Sequence, residues 1–186
     1  MGEISVKDLM VPLSEYSSVS EEASLYEAVL VLEEAHREFD QKRYKYRVIL
    51  VHDKNNKVTG LLSELEVLSG LEPAYSEIGD VRSIALSGFS PEFLKAVAEN
   101  YQLWQEPLGD ICAKAVRIKV KDIDYTPIEG NYIQEDATLN EAIHQLIVGY
   151  HQNLLIVKGE EKEIVGVLRL YDVFKQVYSV IKSCNL

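Results

Sequence analysis

Two stretches of this chain repeat each other. Val6–Leu32 and Val120–Leu146 align at a constant offset of 114 with no gap, and ten of the 27 positions are identical. VKDL at 6–9 faces VKDI at 120–123, and EEASLYEA at 21–28 faces EDATLNEA at 135–142. The second halves match at an offset of 106: VILV at 48–51 faces LLIV at 154–157, GLL at 60–62 faces GVL at 166–168, and EVL at 66–68 faces DVF at 172–174. The offset falls by eight because the first copy carries extra residues in 33–46, which lengthen a helix or add a polar loop. A fixed internal period means that one supersecondary unit is built twice. A unit of about 60 residues has little core of its own, so the two copies need each other's apolar faces.

Each copy reads the same way. Ser24 and Thr138 are N-cap residues followed three positions later by Glu27 and Glu141, a capping box. Leu25, Ala28, Val29, Leu32 and His36 follow helical spacing, as do Leu139, Ala142, Ile143, Leu146 and Ile147. A short apolar run follows, with the branching of a buried strand, then a polar turn at 52–57 or 158–163 and a second strand. A final helix starts near Ser63 or Arg169. In the second copy its spacing predicts burial of Leu170, Val173, Phe174, Val177, Tyr178 and Ile181. Each unit is therefore strand, helix, strand, strand, helix. Between the copies, Ser90-Pro91-Glu92 is a helix start predicted to run to about Trp104. A weaker helix is expected over 76–86, and AVRIKV at 115–120 alternates like a strand. This connector either packs on the core or docks a partner.

Composition narrows the function classes. Thirty acidic against 19 basic residues give a formal net charge of −11, which disfavours nucleic acid as a partner. No apolar run reaches the roughly 20 residues of a membrane-spanning helix, and MGEISVKDLM has no apolar core of a secretory signal. Cys112 and Cys184 lack CxxC spacing, so a reducing cytoplasm is expected, with Cys112 read as a buried thiol. His36, His52, His144 and His151 are scattered and form no metal-ligand pattern. No Walker loop, GxGxxG or GxSxG is present. No catalytic residues and no required cofactor are expected, and the chain is not read as an enzyme.

The doubled unit resembles a pair of CBS domains, the arrangement called a Bateman module. The resemblance is carried by VKDLM at 6–10, EEASLYEA, RVILV at 47–51 and GLLSELEVL at 60–68, and by VKDI, EDATLNEA, NLLIV at 153–157 and GVLRLYDVF at 166–174. It implies an α/β (α+β) fold: two βαββα repeats, 1–70 and 119–186, paired about a pseudo-twofold, with a helical insertion at 71–118. It also implies clefts between the repeats that bind adenine nucleotides (AMP, ADP or ATP) or S-adenosylmethionine as regulatory ligands and signal to a regulated protein. Paired-CBS proteins usually associate through the helices flanking the clefts, so a homodimer is expected. The alternative is a ligand-free dimerisation scaffold.

The family's ligand motif is a glycine, two apolar residues, Ser or Thr, two further residues, then Asp. The carboxylate accepts hydrogen bonds from the ribose hydroxyls, and the hydroxyl residue caps the helix and meets ribose or phosphate. Each copy here departs at one position. Gly166–Asp172 keeps Asp172 but has Arg169 in place of the hydroxyl; Gly60–Glu66 keeps Ser63 but has Glu66 in place of Asp. The resemblance lines the Asp172 cleft with Tyr16, Ser17, Ser18 and Val19, with Arg47 at its phosphate end. It lines the Glu66 cleft with Thr126, Asn131, Tyr132 and Ile133, with His151 and Gln152 at its edge. Guanidinium forks bind phosphate well, which marks Arg169 and Arg47. The same residues also have structural uses. An acid in a helix's first turn complements the dipole without any ligand, and Arg169 can pair with a surface carboxylate or fold over Asp172 and neutralise it, closing the cleft.

Overall fold

The structure is a computed structural model and describes residues 4–40, 48–78, 88–105, 110–125, 127 and 129–183. In chain order its elements begin with α1 (Val6–Leu9), β1 (Val11–Pro12), β2 (Ser18–Ser20), α2 (Leu25–Asp40), β3 (Val48–His52), β4 (Val58–Ser63) and α3 (Glu64–Gly70). The connector contributes α4 (Pro91–Asn100) and α5 (Ile111–Arg117). The second copy follows as β5 (Tyr132–Gln134), α6 (Leu139–Val148), β6 (Asn153–Lys158), β7 (Glu163–Arg169) and α7 (Leu170–Ser183). The βαββα order predicted for each copy is present.

The chain divides into two compact units. One is Ser17–Thr126; the other joins Met1–Tyr16 to Pro127–Leu186. In Ser17–Thr126 the sheet order is β2-β3-β4, with β2 parallel to β3 through the α2 crossover and β3 antiparallel to β4. The β3–β4 turn is built by Asp53, whose carboxylate accepts from the backbone N–H of Asn55 (2.8 Å) and Lys57 (2.9 Å). Asn56 takes the left-handed conformation there (φ 61°), which asparagine tolerates better than most residues. Ile49, Val51 and Leu62 form the core with Leu25, Ala28 and Leu32 of α2.

The other unit repeats this plan with one addition. Its sheet order is β1-β7-β6-β5, so the N-terminal segment supplies a fourth strand, with Val11 opposite Val167 and Pro12 opposite Gly166. Val6 is fully buried with Leu154, Ile156 and Leu168. Backbone bonds fasten the segment: Val6 donates to Ala137 (2.9 Å), and Leu139 donates to Ile4 (3.1 Å). The equivalent segment ahead of the second copy is attached to the first. Leu25 donates to Ile118 (2.9 Å), Val120 to Ala23 (2.9 Å) and Lys121 to Glu21 (2.9 Å). Each copy is thus completed by the stretch that precedes the other in sequence.

Both capping boxes form. Ser24 N–H donates to Glu27 (2.8 Å) and Thr138 N–H to Glu141 (2.8 Å). These bonds, first from the backbone and then from the hydroxyl, hold both carboxyls below their ordinary range. The extra residues of the first copy lengthen its helix: α2 has 16 residues and α6 has 10.

Four local expectations are corrected. AVRIKV is not a strand: α5 covers Ile111–Arg117, and its Ala115 enters the core of the first copy. The helix from Ser90 ends at Asn100 rather than near Trp104, which lies in a left-handed turn (φ 55°). That turn is tied back by Trp104 N–H to Glu72 (3.0 Å) and Trp104 Nε1–H to Tyr75 (3.2 Å). Cys112 is exposed, because it lies on the solvent side of a helix whose inward position is Ala115. On α7 only Val173 is buried; Phe174 is 64% and Ile181 63% exposed, and Tyr178 is exposed too. Of the helix expected over 76–86, residues 76 and 77 close a 3-10 turn, Pro73–Glu77, and 79–86 lie outside the described residues.

Candidate functional site

The second-copy motif occupies the junction of β7 and α7. Val167 and Leu168 are fully buried strand residues. Arg169 is the last residue of β7, and Asp172 stands in the first turn of α7. Their spacing of three brings both side chains to one side of the junction, and Arg169 Nε donates to Asp172 Oδ2. The pair is mostly withdrawn from solvent, with side-chain exposures of 14% and 16%. Such a pair is held by mutual attraction against desolvation, so each charge needs a counter-charge.

The motif glycine has a packing reason. A Cβ on Gly166 would overlap the Met10 side chain and stand 2.9 Å from the Val11 carbonyl oxygen. The N-terminal segment pairs with β7 as its neighbouring strand at that residue, and only glycine leaves room.

The first-copy motif closes on itself differently. Ser63 caps α3: its hydroxyl accepts from Leu65 N–H (3.2 Å) and donates to Glu66, while Ser63 N–H donates to the same Glu66 oxygen (2.9 Å). Glu66 is long enough to fold back over the cap. It acts there as the acidic member of a capping box.

The remaining expected residues are distributed between the two units. Tyr16 is buried in the unit that holds Asp172, whereas Ser17, Ser18 and Val19 belong to the other, with Val19 in its core. Asn131, Tyr132, Ile133, His151 and Gln152 share the unit of Asp172. Ile133 is buried in that unit's core. Asn131 Nδ2 lies 3.2 Å from His151 Nδ1, Lys162 stands 5.9 Å from the Tyr132 ring centre, and the Gln152 carbonyl accepts from Leu170 N–H (2.9 Å). Arg47 and Thr126 lie outside the described residues.

One feature escaped the sequence reading. A cavity of about 370 Å³ lies beside the C-terminal half of α6, lined by His144, Gln145, Val148, Gly149 and His151 among others. Gln145 Nε2 anchors its rim, donating to the carbonyls of Gly130 (2.6 Å) and Tyr132 (2.8 Å). Its lining is local in sequence, within 130–151, but periodicity alone does not show that the turns before and after α6 fold back beside the helix. Among the described residues no cluster of His, Cys, Asp and Glu is arranged to hold a metal ion. No helix among them is long and apolar enough to cross a membrane.

A pair of βαββα units, each ending in this strand–helix motif, defines a class of protein, and comparison identifies it. The family model for the CBS domain matches residues 6–72 and 120–179. The chain belongs to the CBS-domain family and carries two copies of the domain. Solved structures with the same fold include a CBS domain-containing protein of unknown function from Bacillus anthracis (19% identity, 95% of this chain and 94% of that one, TM-score 0.58). Another is CBSX2 in complex with AMP (16%, 95% and 98%, TM-score 0.54). A third is the CBS domain of a bacterial CNNM/CorC family Mg2+ transporter in complex with ATP (14%, 94% and 87%, TM-score 0.54). At these identities the likeness concerns the fold. No curated protein matches the sequence.

Proposed function

We propose that this chain is a regulatory module that binds an adenine nucleotide at the Asp172 motif and passes its occupancy to a partner protein. The observation that carries the reading is the placement of Asp172: a carboxylate at a strand–helix junction, beside a guanidinium, in the copy that keeps the family's Asp. Family membership supports it, as do the AMP and ATP in the two related structures. Asp172 accepts from the ribose hydroxyls and Arg169 meets phosphate. Tyr16, which lies in the same unit, belongs to the proposed set. Glu66 is the weaker site, because its carboxylate already serves the Ser63 cap. Binding here is regulatory rather than catalytic, in a reducing, cytoplasmic setting that suits the exposed thiol of Cys112.

The test is a thermal-shift panel with AMP, ADP, ATP and S-adenosylmethionine. A ligand that binds only the folded state at a hundred times its dissociation constant adds about 2.7 kcal/mol of stability. A melting temperature unmoved by all four defeats the reading.

A specific observation also favours assembly. Phe174, Tyr178 and Ile181 project from α7 into solvent, and a helix face this apolar is normally covered. We read the chain as a homodimer through this helix. Light scattering that shows a monomer at high concentration defeats that reading, and a dimer with no adenine ligand leaves the scaffold alternative standing.

A further inference from the structure

We propose that α4 and the turn after it form a docking surface for a basic, amphipathic segment of another protein. The inference is independent of the Asp172 site, so the failure of either leaves the other standing.

α4 has ten residues and none of them is buried. An isolated helix shorter than about 12–15 residues is marginal in water, and helices in proteins are stabilised mainly by packing an amphipathic face. The start of α4 is nevertheless well fixed. The Ser90 hydroxyl accepts from Phe93 N–H (3.1 Å), and Pro91 takes the first helical position. Phe93, Leu94, Val97 and Tyr101 fall on one side of the helix by their spacing. Phe93, Leu94 and Tyr101 are exposed, and the Phe93 ring stacks on that of Phe89 with centres 5.1 Å apart. Trp104, the chain's one tryptophan, is exposed just beyond them. Apolar side chains gathered on one short segment mark an interaction surface.

The turn holds Trp104 at a conformational cost. Gln102 and Trp104 both take left-handed φ (53° and 55°), which is uncommon for any residue but glycine. Trp104 stays there because its N–H donates to Glu72 (3.0 Å) and its Nε1–H to the Tyr75 hydroxyl (3.2 Å). An indole fixed in this way is a rigid anchor, and its face attracts a cation. The Glu72 carboxylate beside it adds to that attraction. Charge then selects the occupant. Residues 71–110 include seven acidic and two basic side chains, and one of the two, Lys95, pairs with Glu99 (3.8 Å). A second copy docking here about a twofold would set this acidic segment against itself. An anionic membrane surface would be repelled. A partner helix with Arg or Lys beside an apolar stripe satisfies both the charge and the apolar face.

Trp104 emission reads the docking directly on the full chain. The probes are tryptophan-free helical peptides that share one stripe of leucines and carry arginine, glutamine or glutamate on the other face. The arginine peptide is expected to shift the emission to the blue and to bind at least about tenfold more tightly than the glutamine peptide, with the glutamate peptide weaker still. Arginine and glutamine peptides that bind equally, or an arginine peptide that leaves the emission unmoved, overturn the proposal. This comparison needs no variant. Leu94→Asp then separates docking from a general attraction to an acidic chain. Leu94 is 53% exposed and stands near the helix start, where an acid suits the dipole, so the fold should tolerate the change. The added charge strengthens a general attraction, whereas the lost apolar contact is expected to weaken docking at least about fivefold. Arginine-peptide binding that Leu94→Asp leaves unchanged or strengthens overturns the proposal. A blue shift on concentrating the protein alone assigns the surface to a second copy, and one on adding phosphatidylcholine vesicles assigns it to lipid; either overturns the proposal too.

Discussion

Gly166→Ala probes the close pairing of the N-terminal segment with β7 by a single methyl group. Two opposing effects set its magnitude. Replacing glycine by alanine where the backbone tolerates it stabilises by about 0.4–1 kcal/mol through the unfolded state. Gly166 has no left-handed φ, so the backbone raises no objection. The space does. The new Cβ would overlap the Met10 side chain and approach the Val11 carbonyl oxygen to 2.9 Å. Met10 can swing aside, but Val11 is held in register opposite Val167 by the sheet. Overpacking of this kind costs about 1–3 kcal/mol, so a net loss of about 1–2 kcal/mol is expected. Urea titration followed by circular dichroism reads it as a lower midpoint at unchanged slope. The variant Met10→Ala removes the flexible part of the clash. In the double variant the two losses should therefore fall short of additivity, as neighbours in contact do. Gly166→Ala protein as stable as wild type, or more stable, refutes the close approach of Met10 and Val11 as the reason for glycine.

The other predictions concern binding and acid stability. Asp172→Ala should weaken AMP binding by about 1.5–3 kcal/mol, the scale of a lost charged acceptor, measured by calorimetry. Glu22 accepts from Lys121 (2.8 Å) and Lys119 (2.9 Å), and these bonds lower its pKa from the ordinary 4.5 to about 2. A carboxyl depressed in the folded state adds stability that is present above about pH 4.5 and lost as pH falls toward about 2. Glu22→Gln should therefore flatten that part of the acid limb and leave the neutral region less affected by pH; an unchanged limb contradicts the pairing.

Most of the architecture was legible because the repeat states it twice. The capping residues Ser24 and Thr138, the four-residue apolar cores of β3 and β6, and the turns after them each follow from local chemistry, and each occurs in both copies. The errors fell where only one copy exists or where the answer depends on distant neighbours. AVRIKV has a period of two on paper, but Ala115 and Val120 are inward-facing for other reasons: a helical turn packed on α2 and a short 3-10 turn after it. The apolar face of α7 was legible as apolar, but sequence does not say which residues meet a core and which meet solvent. At the motif, sequence pointed to Asp172 and Arg169, and the structure brings these two side chains together. It could not choose between an arginine turned to a surface carboxylate and one turned to Asp172, because i,i+3 spacing across a strand–helix junction permits either. Glu66 likewise reads as a displaced ligand residue until its bond to the Ser63 backbone shows it capping α3.

The exchanged segments make the two units unequal as folding problems, and this yields a last prediction. Ser17–Thr126 is continuous and already contains its completing stretch, with Val120 fully buried and Lys119 and Lys121 on Glu22. The second unit is split. Its later part, 127–186, lacks Val6 and Val11, both buried, and the strand that covers the outer edge of β7. A buried valine contributes about 1.5–3 kcal/mol, so the missing pair amounts to several kcal/mol. That is comparable to the whole net stability of a unit this small. An exposed β7 edge would also invite pairing with other chains. The fragment 127–186 is therefore expected to be largely unfolded or aggregated by circular dichroism and light scattering, whereas 17–126 folds cooperatively. A peptide of residues 4–16 added to 127–186 should restore structure, because Val6 and Leu139 can then remake their backbone bonds to Ala137 and Ile4. If 127–186 alone melts cooperatively at the midpoint of the full chain, the N-terminal segment is an ornament on that unit and not part of its core.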